Sequence, residues 1–349
     1  MSHRRIALAL SLLAVGIAAA ASLVLAPYHL TLLSLVCIAA ILASSVNVLV
    51  GQAGLLSLGQ AGIAACAGYA VAWGAVRDLD PVVQVGLALV VTIVVSGLYG
   101  VMTMRTRGIV FLMITLALGM IVYGLAQKLP GLTGGQNGLT GVTRPALVAD
   151  AGPFYLLTLV CLVLTLIVCR ALDRSPFGLT LRGLRESEGR MASLGYPVAR
   201  AKLLAMLCSG LLAGLAGVLA AWQAQFVSPA AASFSRSAFA TVMVIVGGTG
   251  TLLGPVVGAG VVVGVEHWLS SWVERWPTLL GVVLIVVVLF ARGGVVGALQ
   301  ELVQRWRAEN GGGPRRPGDP ALAIAGGVVV GTGPIVGSPA TDQDREVDR

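Results

Sequence analysis

Amide and hydroxyl side chains interrupt an apolar, glycine-rich stretch between residues 45 and 62. If the helix is broken there, the half-helix N-terminus attracts anionic groups, and the amides can bind a small polar solute. The alternative is structural: the glycines allow a close helix crossing and the amides cap the backbone locally. Both interpretations are open at this point. The candidate solute-pathway residues are Asn47, Gln52, Gly54, Ser57 and Gln60.

Side chains suited to catalysis or metal binding form no recognisable groups in the sequence. The acidic residues between positions 6 and 291 lie in or near the polar segments that separate apolar runs, with no nucleophile–base pair or ligand cluster. The five cysteines lack CxxC spacing, and we interpret them as small apolar side chains. No glycine-rich phosphate loop ends in Lys-Ser or Lys-Thr. We therefore expect no catalytic residue, metal, cofactor or ATPase activity in this chain.

A second glycine-rich segment, residues 132–142, follows the fifth apolar run. Four glycines within nine positions predict a compact turn that contains positive φ angles. One interpretation is an external gate or a docking surface for a protein that delivers the solute, and the other is a folded connector. The residues that would form the gate or docking loop are Thr133, Gly134, Gly135 and Gly138.

The longest basic loop, residues 171–202, has apolar residues at helical spacing. Leu181, Leu184 and Leu194 predict a short amphipathic helix. Such a helix could rest on the membrane surface, or it could dock a cytoplasmic partner with these leucines facing a groove in that partner. The candidate coupling residues are Arg182, Leu184, Arg185, Glu186, Glu188 and Gly195.

Ten apolar runs supply the elements that would position these segments. A membrane-spanning helix needs about 20 mostly apolar residues. Two runs are weak, because 55–76 begins in the glycine-rich stretch and 238–250 is short, so eight full spans with two partial or re-entrant ones are the alternative. The runs are 6–26, 30–50, 55–76, 82–104, 108–126, 153–170, 203–225, 238–250, 254–272 and 278–291.

The composition supports a membrane protein. Of 349 residues, 57% are hydrophobic and 11% are charged, whereas a soluble domain has about 25% charged residues. The mean hydropathy is +0.91, and the 46 glycines suit close helix packing in a membrane. The predicted fold is all-α, a polytopic transmembrane helical bundle of 8–10 spans with broken or re-entrant glycine-rich segments.

Lysine and arginine positions predict the orientation. With the N-terminus in the cytoplasm and one crossing per run, 18 of the 23 basic residues lie inside, as the positive-inside rule requires. The net charge of +8 then reflects topology and contact with anionic membrane lipid, with no nucleic-acid partner. We predict a multi-pass protein of the cytoplasmic membrane with both termini in the cytoplasm.

The C-terminal part of the chain differs from the rest. A Gly/Pro break at 247–260 predicts a tight helical hairpin or a re-entrant turn. From residue 301 the apolar runs end, and from residue 310 the sequence is rich in glycine and proline. We assign residues 1–300 to one transmembrane domain and residues 301–349 to a cytoplasmic tail that is disordered from residue 310.

Four stretches in this order resemble the permease subunits of branched-chain amino acid ABC importers of the LivM type. They are 45–62, 107–119 together with 132–142, the basic loop 178–195, and 226–260. The resemblance covers about residues 30–300. Each motif is a common glycine pattern on its own, but four in order within one hydropathy profile are specific.

The resemblance implies an importer that moves branched-chain or related amino acids. It implies a second permease subunit of the LivH type, two cytoplasmic ATPase subunits and an extracytoplasmic solute-binding protein. It also implies that the loop 178–195 is the coupling helix that sits in a groove of the ATPase. Gln60 stands where the family often has His, and Phe239 where many relatives have an acidic residue; relatives also carry urea, short amides and other amino acids.

A second hypothesis comes from a different class. The chain could be a stand-alone secondary transporter or channel for a small polar solute. Proton coupling is disfavoured, because proton-driven carriers normally place acidic residues or histidine inside the bundle. Sodium coupling through backbone carbonyls remains compatible with the sequence. The gene neighbourhood separates the two hypotheses, because adjacent genes for ATPases, a second permease and a secreted binding protein would indicate the ABC importer.

Overall fold

The structure is a computed structural model that describes residues 26–270. The predicted runs 6–26 and 278–291 lie outside the described residues, apart from the last residue of the first run. The predicted tail 301–349 lies outside them as well.

The described chain is almost entirely helical, which confirms the all-α prediction. A single pair of two-residue strands is present among residues 26–270, and the two strands are antiparallel. The helices are α1 Pro27–Asn47, α2 Gln60–Ala75, α3 Pro81–Thr103, α4 Gly108–Lys128, α5 Pro130–Thr133, α6 Ala151–Arg174, α7 Pro176–Glu186, α8 Glu188–Ser193, α9 Val198–Ala224, α10 Phe234–Gly247 and α11 Gly254–Ser270, and the strands are β1 Leu139–Thr140 and β2 Phe226–Val227.

Five helical segments within residues 26–270 are long and apolar enough to cross a membrane. They match five of the predicted runs. The run 55–76 becomes the 16-residue helix α2, and the run 238–250 becomes the 14-residue helix α10. Both are shorter than a full span, as the sequence indicated. The five segments are Pro27–Ala53, Pro81–Thr103, Gly108–Lys128, Ala151–Arg174 and Val198–Ala224.

Helix α2 forms the centre of the described bundle. Fourteen of its 16 residues are buried, and most are alanine or glycine. Helices α3 and α9 pack against it most extensively. Small side chains let helix backbones approach closely, and van der Waals contact along that approach holds membrane helices together. Because α2 is apolar on all sides, it is a core helix and has no polar face.

Apolar side chains on the outside of the bundle complete the membrane architecture. In the most apolar stretch of each of α3, α4 and α6, a third of the residues or fewer are buried. Their exposed residues are chiefly valine, leucine, isoleucine and methionine. Lipid tails are as apolar as these side chains, so exposure to lipid has no hydrophobic cost. The hairpin predicted at 247–260 is also present, since α10 and α11 pack against each other across the turn at 248–253.

The crossing of α2 and α9 gives the first prediction. A Cβ added at Gly217 would meet the backbone carbonyl of Ala64 on α2. We expect Gly217→Ala to lower the free energy of unfolding by about 1–3 kcal/mol, because overpacking forces the backbones apart. The measurement is denaturant unfolding of the purified full chain in detergent.

The matched control is Gly86→Ala on α3, where an added Cβ has no neighbour within 4 Å. Alanine favours a helix over glycine by about 1 kcal/mol, so this variant should be as stable as the parent chain or more stable. Equal stabilities of the two variants would contradict the close crossing.

Candidate functional site

Three interruptions of helical structure meet at one end of the bundle. They are the segment 48–59 between α1 and α2, the basic loop 171–202 that contains the short helices α7 and α8, and the turn 248–253 between α10 and α11. We call the first the helix break, and we call this end the basic end because Arg107, Arg182 and Lys202 also lie here. Two of the three segments carry candidate residues from the sequence.

The helix break begins as a π-helix over Val48–Ala53 that continues α1. Gly54 then takes a left-handed conformation with φ of 69° and ends the helix, a geometry that glycine adopts without strain. The N–H of Leu58 donates to Oγ1 of Thr115 at 3.3 Å, and the N–H of Ala61 donates to Oγ of Ser237 at 3.3 Å. The bundle therefore supplies side-chain acceptors to backbone groups that the interruption leaves without helical partners.

Asn47 joins the helix break to the turn at 248–253. Its Nδ2 donates to the carbonyl of Thr251 at 3.0 Å, and its Oδ1 accepts from the N–H of Gly250 at 2.9 Å. The side chain is 8% exposed. Both ends of the amide are thus used inside the chain, which is the structural role that the sequence left as an alternative. A role for Asn47 in the solute pathway stays a prediction.

Gln52 lines a small cavity next to this contact. The cavity has a volume of about 30 Å³ and is bounded by the helix break, the end of α6 and residues 250–252. Oε1 of Gln52 is buried and has no hydrogen-bond partner among residues 26–270. A polar space of this size can hold a water molecule, but it is about a tenth of the smallest usual ligand pocket of about 300 Å³. This cavity therefore cannot hold an amino acid in the conformation described.

Ser57 and Gln60 lie deeper, where the break meets α2. Each is 1% exposed. Oγ of Ser57 accepts weakly from the N–H of Gly59 at 3.4 Å, and Nε2 of Gln60 points at the sulfur of Met206 at 3.7 Å. Oε1 of Gln60 has no partner in the described part of the chain. The structure brings the five pathway candidates together in one segment, but most are enclosed by the chain itself.

The predicted docking helix is present, but it is split into α7 and α8. Ser175 caps α7 and Ser187 caps α8, each accepting a backbone N–H three residues on. Gly195 takes a left-handed φ of 81° beyond α8, as is usual after a helix. The predicted amphipathic character is clear in α7, where Gly178, Leu181 and Leu184 are buried.

The prediction that three leucines face a partner's groove is wrong for two of them, Leu181 and Leu184. Leu181 is fully buried in the same apolar cluster as Leu49 and Met206, and Leu184 is 5% exposed. The apolar face of α7 therefore packs on this chain's own bundle and cannot also occupy a partner's groove. Leu194 is 67% exposed. Leu179, which is not among the candidates from the sequence, is 63% exposed. The exposed leucines of this loop are the ones that a partner could contact.

Charged residues fix α8 to the bundle. Oε1 of Glu188 lies 2.7 Å from Nζ of Lys202 on α9 and 2.8 Å from Nε of Arg107. The Lys202 side chain is 1% exposed, and Nζ also donates to the carbonyl of Thr106 at 2.6 Å. One carboxylate thus joins α8, α9 and the loop between α3 and α4. In the sequence Lys202 is only one of many basic residues, and nothing in a single sequence indicates that its side chain is buried.

The other charged candidates differ in their surroundings. Arg182 pairs with Asp173 at 2.7 Å, with both side chains 48% exposed, so this pair contributes little to stability. Glu186 is exposed. Arg185 donates from Nη1 to the carbonyl of Gly51 at 2.5 Å. This last contact connects the docking helix to the helix break.

The glycine-rich loop 132–142 lies at the opposite end of the bundle. Oγ1 of Thr133 donates to the carbonyls of Ala126 and Leu129 at 2.6 and 2.8 Å. Gly134, Gly135 and Gly138 all have positive φ, as predicted from the glycine spacing.

Beyond these glycines, β1 pairs with β2, the segment that follows α9. Arg144 donates to the carbonyls of Trp222 and Gln223 at 2.9 and 3.1 Å, and partial burial lowers its pKa. The segment is therefore a folded connector held by backbone contacts. Its role as a gate or docking loop stays a prediction.

Comparisons with known proteins place this geometry in context. Residues 28–292 match the family described as branched-chain amino acid transport system / permease component. Two relatives are each named "High-affinity branched-chain amino acid transport system permease protein LivM": one from Salmonella typhimurium (strain LT2), 30% identical, and one from Escherichia coli (strain K12), 29% identical. Each alignment covers 73% of this chain and 67% of the relative. No solved structure matches the chain.

The Glu188 contact gives the second prediction. Glu188→Ala leaves the buried Lys202 ammonium with only the Thr106 carbonyl among its described partners. Breaking one side of a buried ion pair costs about 3 kcal/mol or more, so the variant should unfold at clearly lower denaturant concentration. The control is Asp173→Ala, which removes an exposed pair worth less than about 1 kcal/mol. Similar losses in both variants would contradict the buried role of this carboxylate.

Proposed function

The chain belongs to the family of branched-chain amino acid transport permease components, and we propose that it is the permease subunit of an ABC importer in the cytoplasmic membrane. The energy for transport comes from separate ATPase subunits. The observation that carries the proposal is the pair of short helices α7 and α8 at the basic end. One face of α7 is buried in the bundle, while Leu179 on α7 and Leu194 just after α8 are exposed.

The proposed solute is a branched-chain amino acid or a related amino acid. Both named relatives are permeases for branched-chain amino acids, which supports this choice. The described chain has few charged groups inside its spans, so it suits a route that passes a solute without binding it tightly. In this proposal a soluble binding protein selects the solute, and the residues of the helix break flank the route.

The proposed assembly has four kinds of contact, with a second permease, lipid, ATPase subunits and a binding protein. The chain pairs with a second permease subunit of the LivH type, and the exposed apolar faces of its helices contact that subunit or lipid. One of the two ATPase subunits contacts α7 and α8 of this chain. A solute-binding protein docks at the opposite end, where the segment 132–142 lies. The basic end then faces the cytoplasm, in agreement with the positive-inside rule.

The direction of the α7 leucines makes the docking proposal specific. Since Leu184 packs inside the bundle, the contact with an ATPase falls to the exposed leucines and to the charged residues around them. Interface energy concentrates in a few anchors that become buried on binding. Leu179 and Leu194 are the most exposed of the large apolar side chains on this loop, so they are the anchors we propose.

The third prediction tests this docking surface. Leu194→Asp should weaken association with the ATPase by about 1–3 kcal/mol, because it places a charge in an apolar contact. The measurement is co-purification of a tagged ATPase with the full permease complex, followed by ATP hydrolysis. The matched control is Leu147→Asp at the opposite end, where the leucine is 92% exposed; it should keep the ATPase at the parent yield.

Normal ATPase yield with Leu194→Asp and Leu179→Asp together would contradict the docking surface. Uptake that continues in cells without any cognate ATPase would instead favour the stand-alone transporter or channel. The two results are separate, because the first concerns one surface and the second concerns the energy source.

The fourth prediction concerns orientation. Single cysteines at Gln136 and Ser193, both exposed positions, are placed in a chain whose five native cysteines are replaced. A membrane-impermeant thiol reagent added to intact cells should label position 136 and spare position 193. Labelling after permeabilisation is the control for accessibility of position 193. Labelling of 193 in intact cells would reverse the proposed orientation.

A further inference from the structure

The docking helix and the helix break touch through one long side chain. Nη1 of Arg185, near the end of α7, donates to the carbonyl of Gly51 at 2.5 Å. These two residues are separated by 134 positions in the sequence. Arg185 as a whole is exposed, so the side chain reaches from the surface that faces a partner to the backbone of the interrupted segment.

Glycines provide the room for this contact. A Cβ at Gly54 would meet the Cγ of Arg185 at 2.8 Å, and a Cβ at Gly250 would lie 3.2 Å from Nη1. Gly51 itself is closed in by Gly250. The guanidinium therefore lies where the helix break and the turn at 248–253 come together, and a larger side chain at Gly54 or Gly250 would crowd the Arg185 side chain.

The electrostatics of the helix end favour a cation here. The helical segment that begins at Pro27 ends at Ala53, and carbonyls in its last turn lack intrahelical partners. A helix C-terminus carries partial negative charge, which a nearby cation stabilises. Gly51 lies in this last turn, so Arg185 supplies both the missing donor and the favourable charge. A guanidinium also stays protonated and offers several donors in a rigid plane.

We propose that Arg185 is the positioning residue that transmits the state of the docking helix to the helix break. This inference rests on the proposed function, since it requires an ATPase at α7 and α8. Movement of α7 displaces the guanidinium from Gly51, and the break and the adjoining turn at 248–253 then change their packing. In this role Arg185 acts on the backbone of its own chain and is not an anchor for the ATPase.

The neighbouring contacts support a transmitting role over a purely structural one. The face of α7 with Leu181 and Leu184 already holds the helix to the bundle, and Glu188 holds α8 through Lys202. The Arg185 contact adds a link to a different element, the helix break. Because this link is a single side-chain hydrogen bond, it can open without unfolding the apolar contact beside it.

The test uses the complete transporter with both permeases, both ATPases and the binding protein. Arg185→Met keeps an unbranched stem but removes the donors, and Arg185→Lys keeps a charge and a donor. Arg200→Met removes another exposed arginine of the same end and serves as the control. Three quantities are measured: co-purification of the ATPase, the ratio of ATP hydrolysis with and without solute-loaded binding protein, and amide hydrogen exchange in residues 48–59.

We expect Arg185→Met to keep the ATPase bound while the stimulation ratio falls at least about fivefold, the low end of typical coupling between sites. Hydrogen exchange in 48–59 should rise, and Arg185→Lys should recover part of the stimulation. Arg200→Met should match the parent in all three.

A parent-like ratio with Arg185→Met would overturn the inference, and so would loss of the ATPase from that variant, since Arg185 would then act in docking. Equal losses in Arg200→Met would also overturn it. If the parent complex itself shows no ATP hydrolysis, the proposed function fails instead.

Discussion

The structure depends on satisfying the backbone of the helix break inside an apolar bundle. A helix that is interrupted within a membrane protein leaves N–H and C=O groups that lipid cannot satisfy, so protein or a water-lined cavity must supply the partners. Here the partners come from three different helices: Thr115 on α4, Ser237 on α10 and Arg185 on α7. Asn47 at the end of α1 bonds the backbone of the adjoining turn at 248–253. This requirement brings together segments that are far apart in the sequence.

Hydropathy and glycine spacing predicted the helices well, because both patterns are local. The runs 82–104 and 108–126 correspond to α3 and α4 within a few residues, and the short run 238–250 was correctly identified as weak. The partners of the helix break could not be predicted in the same way. Ser237 and Thr115 look like ordinary hydroxyl residues in apolar helices, and their role depends on which helices pack together.

The basic loop 171–202 shows the same limit in a sharper form. Helical spacing identified an amphipathic helix, but spacing alone does not say which neighbour covers the apolar face. Leu184 faces this chain's own bundle and Leu194 faces outward, although both belong to one pattern in the sequence. Lys202 is a parallel case, since a buried cation is acceptable only where a carboxylate and a carbonyl meet it, and that arrangement is made by tertiary packing.

The two ends of the described bundle are held by different kinds of contact, and this difference bears on where the chain can move. At the far end, β1 pairs with β2 and Arg144 binds the last carbonyls of α9, so several bonds restrain the same two segments and must break together. At the basic end, individual side chains such as Asn47, Arg185 and Lys202 each join a separate pair of elements.

Helix α9 links the two ends over 27 residues, or about 40 Å at 1.5 Å per residue. A side-chain contact can be exchanged by a rotamer change. The free energy that this requires is much smaller than the free energy needed to separate paired backbone segments. Displacement of α7 and α8 should therefore be absorbed by the contacts around the helix break, while the connector at the far end stays fixed to α9. An importer of the proposed kind needs this asymmetry, because its ATPases act at one end only.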